Sequence, residues 1–387
     1  MEKICRRISE IGTVVGGGTP STKNPDYWGG DIPWISPKDL TDYKSVYISK
    51  GENFLTEKGL KSGARLLPKN TLLFSSRAPI GYVALAANPI CTNQGFKSIV
   101  CDEKQVVPLY LYYYMKANLD YIKLFGTGAT FPEISGKTMG KIKVEIFKSL
   151  DVQHSIASIL STYDTLIENN TKRIRLLEKM AENLYKEWFV RFRYPGHENV
   201  EMENGLPKGW KRGSLSDVCE FKRGKNITSS EMQEGNVPVI SAGLEPSGYH
   251  SCSNVRGVNV TMSSSGANAG YIAIHYSDIW AADCSYIEES TTGNIYYVYE
   301  LLNNIRTVIN NFQRGAAQPH VYPKDVNRIK LILPSKELML KANGRLEIMH
   351  KDIYNLQKQN SLLARQRDLL LPRLMSGKLE VKEELLE

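Results

Sequence analysis

Apolar residues recur at alternating steps of four and three along two stretches of the chain. The first series is Ile156, Leu160, Tyr163, Ile167, Asn170, Ile174, Leu177, Ala181, Leu184 and Trp188, with Asn170 the polar member. The second is Leu346, Met349, Ile353, Leu356, Asn360, Leu363, Arg367, Leu370 and Leu374, interrupted by Asn360 and Arg367. An alternation sustained over this length is a heptad seam, narrower than the inner stripe of a solitary core helix, so it predicts two long helices that pair with each other. They are expected over residues 151–192 and 335–376, with Pro372 ending the second helix near Leu371 because proline cannot donate to the helical ladder.

The remaining pattern is of another kind. In residues 1–150, short apolar runs at 71–74 and 82–85 read as strands among dense Gly and Pro, and 109–121 reads as a helix. Residues 214–334 repeat this style, with a strand at 271–274 and a helix at 295–312. Residues 193–213, polar and rich in Gly and Pro, read as a linker between the first long helix and the second mixed region. Residues 377–387 are charged and read as a loose tail.

The two mixed regions also say nearly the same thing. Gly128-Ala129-Thr130-Phe131-Pro132-Glu133-Ile134, continuing to Lys141-Ile142-Lys143-Val144, is echoed without a gap by Gly315-Ala316-Ala317-Gln318-Pro319-His320-Val321, continuing to Arg328-Ile329-Lys330-Leu331. Residues 75–84 resemble 263–273, and Ile32-Pro33-Trp34-Ile35-Ser36 resembles Val237-Pro238-Val239-Ile240-Ser241. One internal repeat of about half the chain defines a pseudo-two-fold molecule. The expected fold is therefore α+β: two similar mixed α/β domains separated by two long antiparallel coiled-coil helices. A molecule of this symmetry suits a two-part target, and duplex DNA read as two half-sites is the commonest such target.

Composition narrows the partners. The formal net charge of +8 suits a polyanion without requiring one. Six cysteines are scattered without a C-x-x-C pair, which argues for free thiols in a reducing cytoplasm, and no His/Cys spacing suggests a metal site. No run of 18 consecutive apolar residues occurs, so no membrane span is expected.

Catalytic motifs do not hold up. Gly12 to Thr19 is glycine-rich but lacks the G-x-x-x-x-G-K-[ST] order of a phosphate-binding loop. Asn24-Pro25-Asp26-Tyr27 is similar to the Asn-Pro-Pro-Tyr motif of adenine methyltransferases, but it has Asp in place of the second Pro and no cofactor loop, so a turn is the better reading. What remains is recognition chemistry: Lys38, Arg77, Asn93, Gln94 and Lys97 in the first region, and Lys222, Arg223, Lys225, Ser264, Asn268, Arg314 and Gln318 in the second. Arg and Lys suit phosphate or guanine, and Asn and Gln suit adenine, although each could equally be a solvated loop residue.

These features together resemble the specificity subunit of a type I restriction-modification system. Gly17-Gly18-Thr19-Pro20-Ser21 and Tyr27-Trp28-Gly29-Gly30-Asp31-Ile32-Pro33-Trp34-Ile35 resemble the opening of a first target-recognition domain, and Leu206-Pro207-Lys208-Gly209-Trp210 the entry to a second. Leu369-Leu370-Leu371-Pro372-Arg373-Leu374-Met375-Ser376-Gly377-Lys378-Leu379 resembles the end of the family's second helix. The resemblance implies a non-catalytic cytoplasmic subunit of a prokaryotic complex that binds double-stranded DNA at a bipartite asymmetric site. It implies two methyltransferase subunits and restriction/translocase subunits as partners, with S-adenosylmethionine, ATP and Mg confined to those subunits. The family's Thr92-Asn93-Gln94-Gly95-Phe96 pattern reads as Ala282-Asp283-Cys284-Ser285-Tyr286 in the second copy, so the two domains are expected to read different half-sites. The rival reading is a coiled-coil adaptor with two protein- or glycan-binding modules.

Overall fold

The computed structural model describes residues 2–128, 130, 132–315 and 319–381. The chain forms two compact units, one of residues 1–170 with 359–387 and the other of residues 171–358. Both boundaries fall inside long helices: α1, Leu150–Tyr185, which ends in a π-helical turn over Lys186–Val190, and α2, Lys336–Ser376. Segments of both helices are built into each unit.

In the first unit a five-stranded sheet runs in the order Gly12–Gly16, Lys97–Cys101, Leu72–Ser76, Ile80–Ala86, Tyr47–Ile48. A three-stranded sheet of Asn53–Leu55, Trp28–Ile35 and Cys91–Thr92 joins it, and Lys3–Arg7 pairs antiparallel with Lys143–Phe147. The second unit has the same plan. Its four-stranded sheet runs Lys222–Arg223, Cys284–Glu288, Asn259–Ser263, Ile272–His275. Gly248–His250, Val237–Ile240 and Trp280–Ala281 form the smaller sheet, and Lys211–Ser214 pairs with Lys330–Leu333. Among the described residues, no strand of this sheet corresponds to Tyr47–Ile48.

The cores repeat as well. In the first unit Leu72, Phe74 and Ile99 of the sheet meet Tyr110, Leu111 and Tyr113 of the helix Pro108–Ala117, and Ile156, Leu160, Leu374 and Met375 of α1 and α2 complete the cluster. In the second, Val260, Met262 and Ile287 meet Tyr297, Val298 and Leu301 of the helix Ile295–Asn304, completed by Ala181, Tyr185, Ala342 and Leu346. Each domain helix that reads as continuous in the sequence is broken once, after Ala117 and after Asn304, and resumes as a short helix over Leu119–Lys123 or Arg306–Asn310.

The heptad positions form a shielded stripe. Ile156 and Leu160 are fully buried, Tyr163, Ile167, Ile174, Leu177 and Leu184 are half-buried, and Leu166 and Leu176 beside them lie open. On α2, Ile353 and Leu356 are buried and Asn360, Leu363 and Leu370 half-buried. Pairing is antiparallel: in the first unit Arg367 donates to Asp164, and Asn170 Nδ2 donates to Gln359 Oε1 at 3.4 Å. In the second, the Arg345 guanidinium lies 5.4 Å from the centre of the Trp188 ring.

The ends of the two expected helical regions differ from the sequence reading, and the linker between them is structured. Helix α2 does not end near Leu371 but carries Pro372 inside it and runs to Ser376. Leu374 and Met375 are buried in the first core, and that packing outweighs one missing backbone donor. The connector after the first helix is ordered: Tyr194 stacks on Trp210 at 5.8 Å, and Met202–Glu203 pairs with Leu206–Pro207. The charged end is anchored at least as far as Val381, which packs against the first core, and residues 382–387 lie outside the described part.

Candidate nucleic-acid interface

The hydrogen-bond frame aligns the two copies residue by residue. Ser75 faces Phe96 across the first sheet, and Ser263 faces Cys284 across the second. Gly17 N donates to Phe96 O, and Gly224 N to Cys284 O; Gly18 N donates to Thr92 O, and Lys225 N to Ala281 O. Thr92 therefore corresponds to Ala281 and Phe96 to Cys284. The gap-free pairing of Thr92-Asn93-Gln94-Gly95-Phe96 with Ala282 to Tyr286 is out of register by one residue at Thr92 and by two at Phe96, because it starts one residue late and the second copy's turn is one residue shorter. In its place Asn93 matches Ala282, and Asp283 stands where Gln94 and Gly95 stand.

Gly17 and Gly224 occupy one position for one reason. A β-carbon on Gly17 would lie 1.9 Å from Asn93 O, and one on Gly224 would lie 2.4 Å from Ala282 O. These glycines let two backbone segments touch, and the glycine-rich loop serves packing. Asn24 is equally local: its Oδ1 accepts from Asp26 N at 3.1 Å and caps a short 3-10 turn.

Around this frame the first domain gathers a charged cluster. Lys97 Nζ lies 3.0 Å from Glu133 Oε1 and donates to Gln94 O at 3.3 Å. Arg77 Nη1 lies 3.5 Å from Glu133 Oε2. The Lys97 side chain is 15% exposed and Arg77 and Glu133 are a little over a third exposed, so one cation is largely sunk and the other two groups reach the surface. The hydrogen bond from Lys97 chiefly holds the Glu133 carboxyl below its ordinary pKa; burial opposes it, and the charges of Lys97 and Arg77 add to the lowering.

The other singled-out residues are dispersed. Lys38 is exposed and paired with Glu52 at 3.0 Å. Asn93 Oδ1 accepts from Gly95 N at 2.8 Å and so is engaged in its own turn, and Gln94 accepts from the Thr19 hydroxyl. In the second domain Lys222, Arg223 and Lys225 lie exposed along one sheet edge and the turn that follows it. Asn268 Nδ2 donates to Ala242 O at 3.5 Å, and Arg314 pairs with Asp325 at 2.8 Å. Ser264 is buried, with its carbonyl accepting from Val321 N, so its place is in the frame and off the surface. Gln318 lies outside the described residues. Glu133, Asp283 and His320 were not singled out by residue type. Glu133 and His320 were nevertheless visible as the differing column within Pro132-Glu133-Ile134 and Pro319-His320-Val321.

Comparison with known proteins places this architecture. The type I restriction modification DNA specificity domain matches residues 3–179 and again 207–359. The chain belongs to that family. It is 35% identical to the specificity subunit of the type I restriction enzyme MjaIX of Methanocaldococcus jannaschii, over 98% of this chain and 94% of that one. It is 30% identical to the EcoR124I/EcoR124II specificity subunit of Escherichia coli, over 50% of this chain. The crystal structure of a type I restriction-modification S subunit from M. genitalium shares the fold, with a TM-score of 0.67 over 97% of this chain at 19% identity. Membership sets aside the adaptor reading. Among the described residues no helix is long and apolar enough to cross a membrane, and no three His, Cys, Asp or Glu side chains gather to hold a metal ion.

Proposed function

We propose that this chain is the DNA-recognition subunit of a type I restriction-modification complex, with each domain reading one half of a bipartite, asymmetric site. One observation carries this reading: a single backbone frame occurs twice and presents different side chains each time. Two identical readers would call for a symmetric site, whereas two related but distinct readers suit an asymmetric one. The domains are taken as residues 1–150 and 214–334, the linker as 193–213 and the paired helices as 151–192 and 335–376. The helices would bind two methyltransferase subunits, which supply adenine methylation with S-adenosylmethionine. Restriction/translocase subunits would add ATP- and Mg-dependent cleavage. This chain contributes recognition and holds no reacting group.

The test is domain exchange. Replacing residues 1–150 with the corresponding part of a relative, in a host carrying the partner subunits, should change one half of the methylated motif and leave the other intact. If both halves change, or neither does, the division of labour is wrong. A gel-shift salt series adds a check, since contacts to phosphates make affinity fall steeply as salt rises.

A further inference from the structure

The frame that aligns the domains also shows where their chemistry diverges. Ile134 N donates to Ser76 O at 3.0 Å in the first domain, and Val321 N to Ser264 O at 3.0 Å in the second. The adjoining loops are closed the same way, with Thr127 and Glu133 exchanging backbone hydrogen bonds in one and Arg314 and His320 in the other. Ser76 thus corresponds to Ser264, Arg77 to Ser265, Lys97 to Ser285 and Glu133 to His320. At these superposed positions two serines replace the two cations and a histidine replaces the carboxylate. The first domain has two cations and one carboxylate. The second has Ser265, Ser285 and His320, with Ser265 Oγ donating to Asp283 Oδ2 at 2.5 Å. Ser265 and Ser285 are buried, which leaves half-buried Asp283 and His320 facing outward, with the His320 ring stacked on exposed Tyr322 at 6.2 Å.

Resting on the DNA-recognition reading above, we propose that Arg77, Lys97 and Glu133 form the base-reading centre of the first domain, and that Asp283 and His320 form its counterpart of opposite hydrogen-bond polarity in the second. Arg77 is the reader. Its guanidinium has five N–H donors, and the single contact to Glu133 leaves a pair free for the O6 and N7 acceptors of a guanine. Glu133 is a positioning residue: anchored by the sunken Lys97, it fixes the guanidinium from behind. Asp283 offers only acceptors, which suits the exocyclic amino group of cytosine or adenine. Main-chain hydrogen bonds hold the loops at both places, so a change of side chain alters the chemistry offered and leaves the scaffold as it is.

The experiment uses the full chain assembled with its methyltransferase subunits. Binding is measured to the methylated motif's duplex and to duplexes altered one base pair at a time, with 7-deazaguanine placed at each guanine. The wild-type complex should lose about 5- to 150-fold in affinity when one particular guanine of one half-site is changed or loses N7. Arg77→Ala should abolish that discrimination and no other. Arg77→Lys should keep the affinity for non-cognate duplex and its salt slope, yet lose the same discrimination. Glu133→Gln should weaken it at that guanine while leaving the affinity for non-cognate duplex and its salt slope unchanged, and Asp283→Asn should act only on the other half-site. Equal loss on every duplex in Arg77→Ala would make the residue a phosphate contact and overturn the proposal, as would unchanged discrimination. A wild-type complex that prefers no bipartite motif would instead sink the recognition reading itself.

Discussion

Arg367, which interrupts the apolar seam of α2, donates to Asp164 of α1 in the first unit. The Tyr113 phenol donates to the same carboxylate from the domain helix Pro108–Ala117, so three elements meet on one buried charge. Burial first, and the Asp164 charge second, push the Tyr113 hydroxyl above its ordinary pKa and keep it a donor. The second unit places Glu300 and His350 at the same junction, 3.1 Å apart and both buried. Removing one member of such a pair leaves an uncompensated charge, so Asp164→Ala or Arg367→Leu alone should each cost about 3–5 kcal/mol in chemical denaturation. The double replacement by leucine should cost less than either single change. A double mutant as unstable as the sum of the singles would show that the two residues do not act as a pair.

The close approach at Gly17 gives a second expectation. Gly17→Ala forces apart two backbone segments and should destabilise by about 1–3 kcal/mol, with loss of one half-site in the methylation map. Gly224→Ala should do the same to the other half-site. Alanine at Gly16, where an added β-carbon meets nothing within 4 Å, serves as the control.

Acid should find one group early. Burial pushes the His275 imidazole from the usual 6.5 down to about 4, and its Nε2 lies 2.9 Å from the Thr261 hydroxyl. Between those values the unfolded chain binds a proton that the folded chain refuses. Stability from this group is therefore complete above about pH 6.5 and declines as the pH falls towards 4. In denaturation midpoints measured across that window, His275→Gln should show a shallower slope than wild type.

Much of this was legible beforehand. The two helices and their seam follow from a period that no strand or loop imitates, and the duplication was printed in Gly128 to Val144 and its echo. The role of Arg367 was not legible, because a charge at a seam position reads as a break until its partner is known, and Asp164 is distant in sequence. The register of the turn near Cys284 was missed because a one-residue shortening is invisible without hydrogen bonds. The Pro372 boundary failed because the burial of Leu374 and Met375 belongs to tertiary packing. Among the recognition residues, type alone could not separate Asn93, engaged in its own turn, from Arg77, half-open beside Glu133.

The long helices invite a test of spacing. Deleting one heptad from each, in phase with the seam, removes about 10 Å of helix, or roughly three base pairs of B-DNA. The methylated motif should keep both half-sites with a shorter spacer between them. An unchanged spacer in a folded, methylating mutant would show that helix length does not set the distance between half-sites.

Assayed without partners, the chain should transfer no methyl group and cut no DNA. Incubation of the purified subunit with labelled S-adenosylmethionine and cognate duplex checks this, and label in the DNA would contradict it.

The hydrogen bonds that close the loops beside Ser76 and Ser264 run from main chain to main chain, and they specify nothing about the side chains set upon them. Structure and information are thereby carried by different atoms. A library randomised at half-open position 77, with the Lys97–Glu133 pair kept, should consist mostly of folded proteins, and selection within it would act on meaning alone. In such a molecule a new address on the genome lies a few codons away from the old one, with no folding problem to be solved between them.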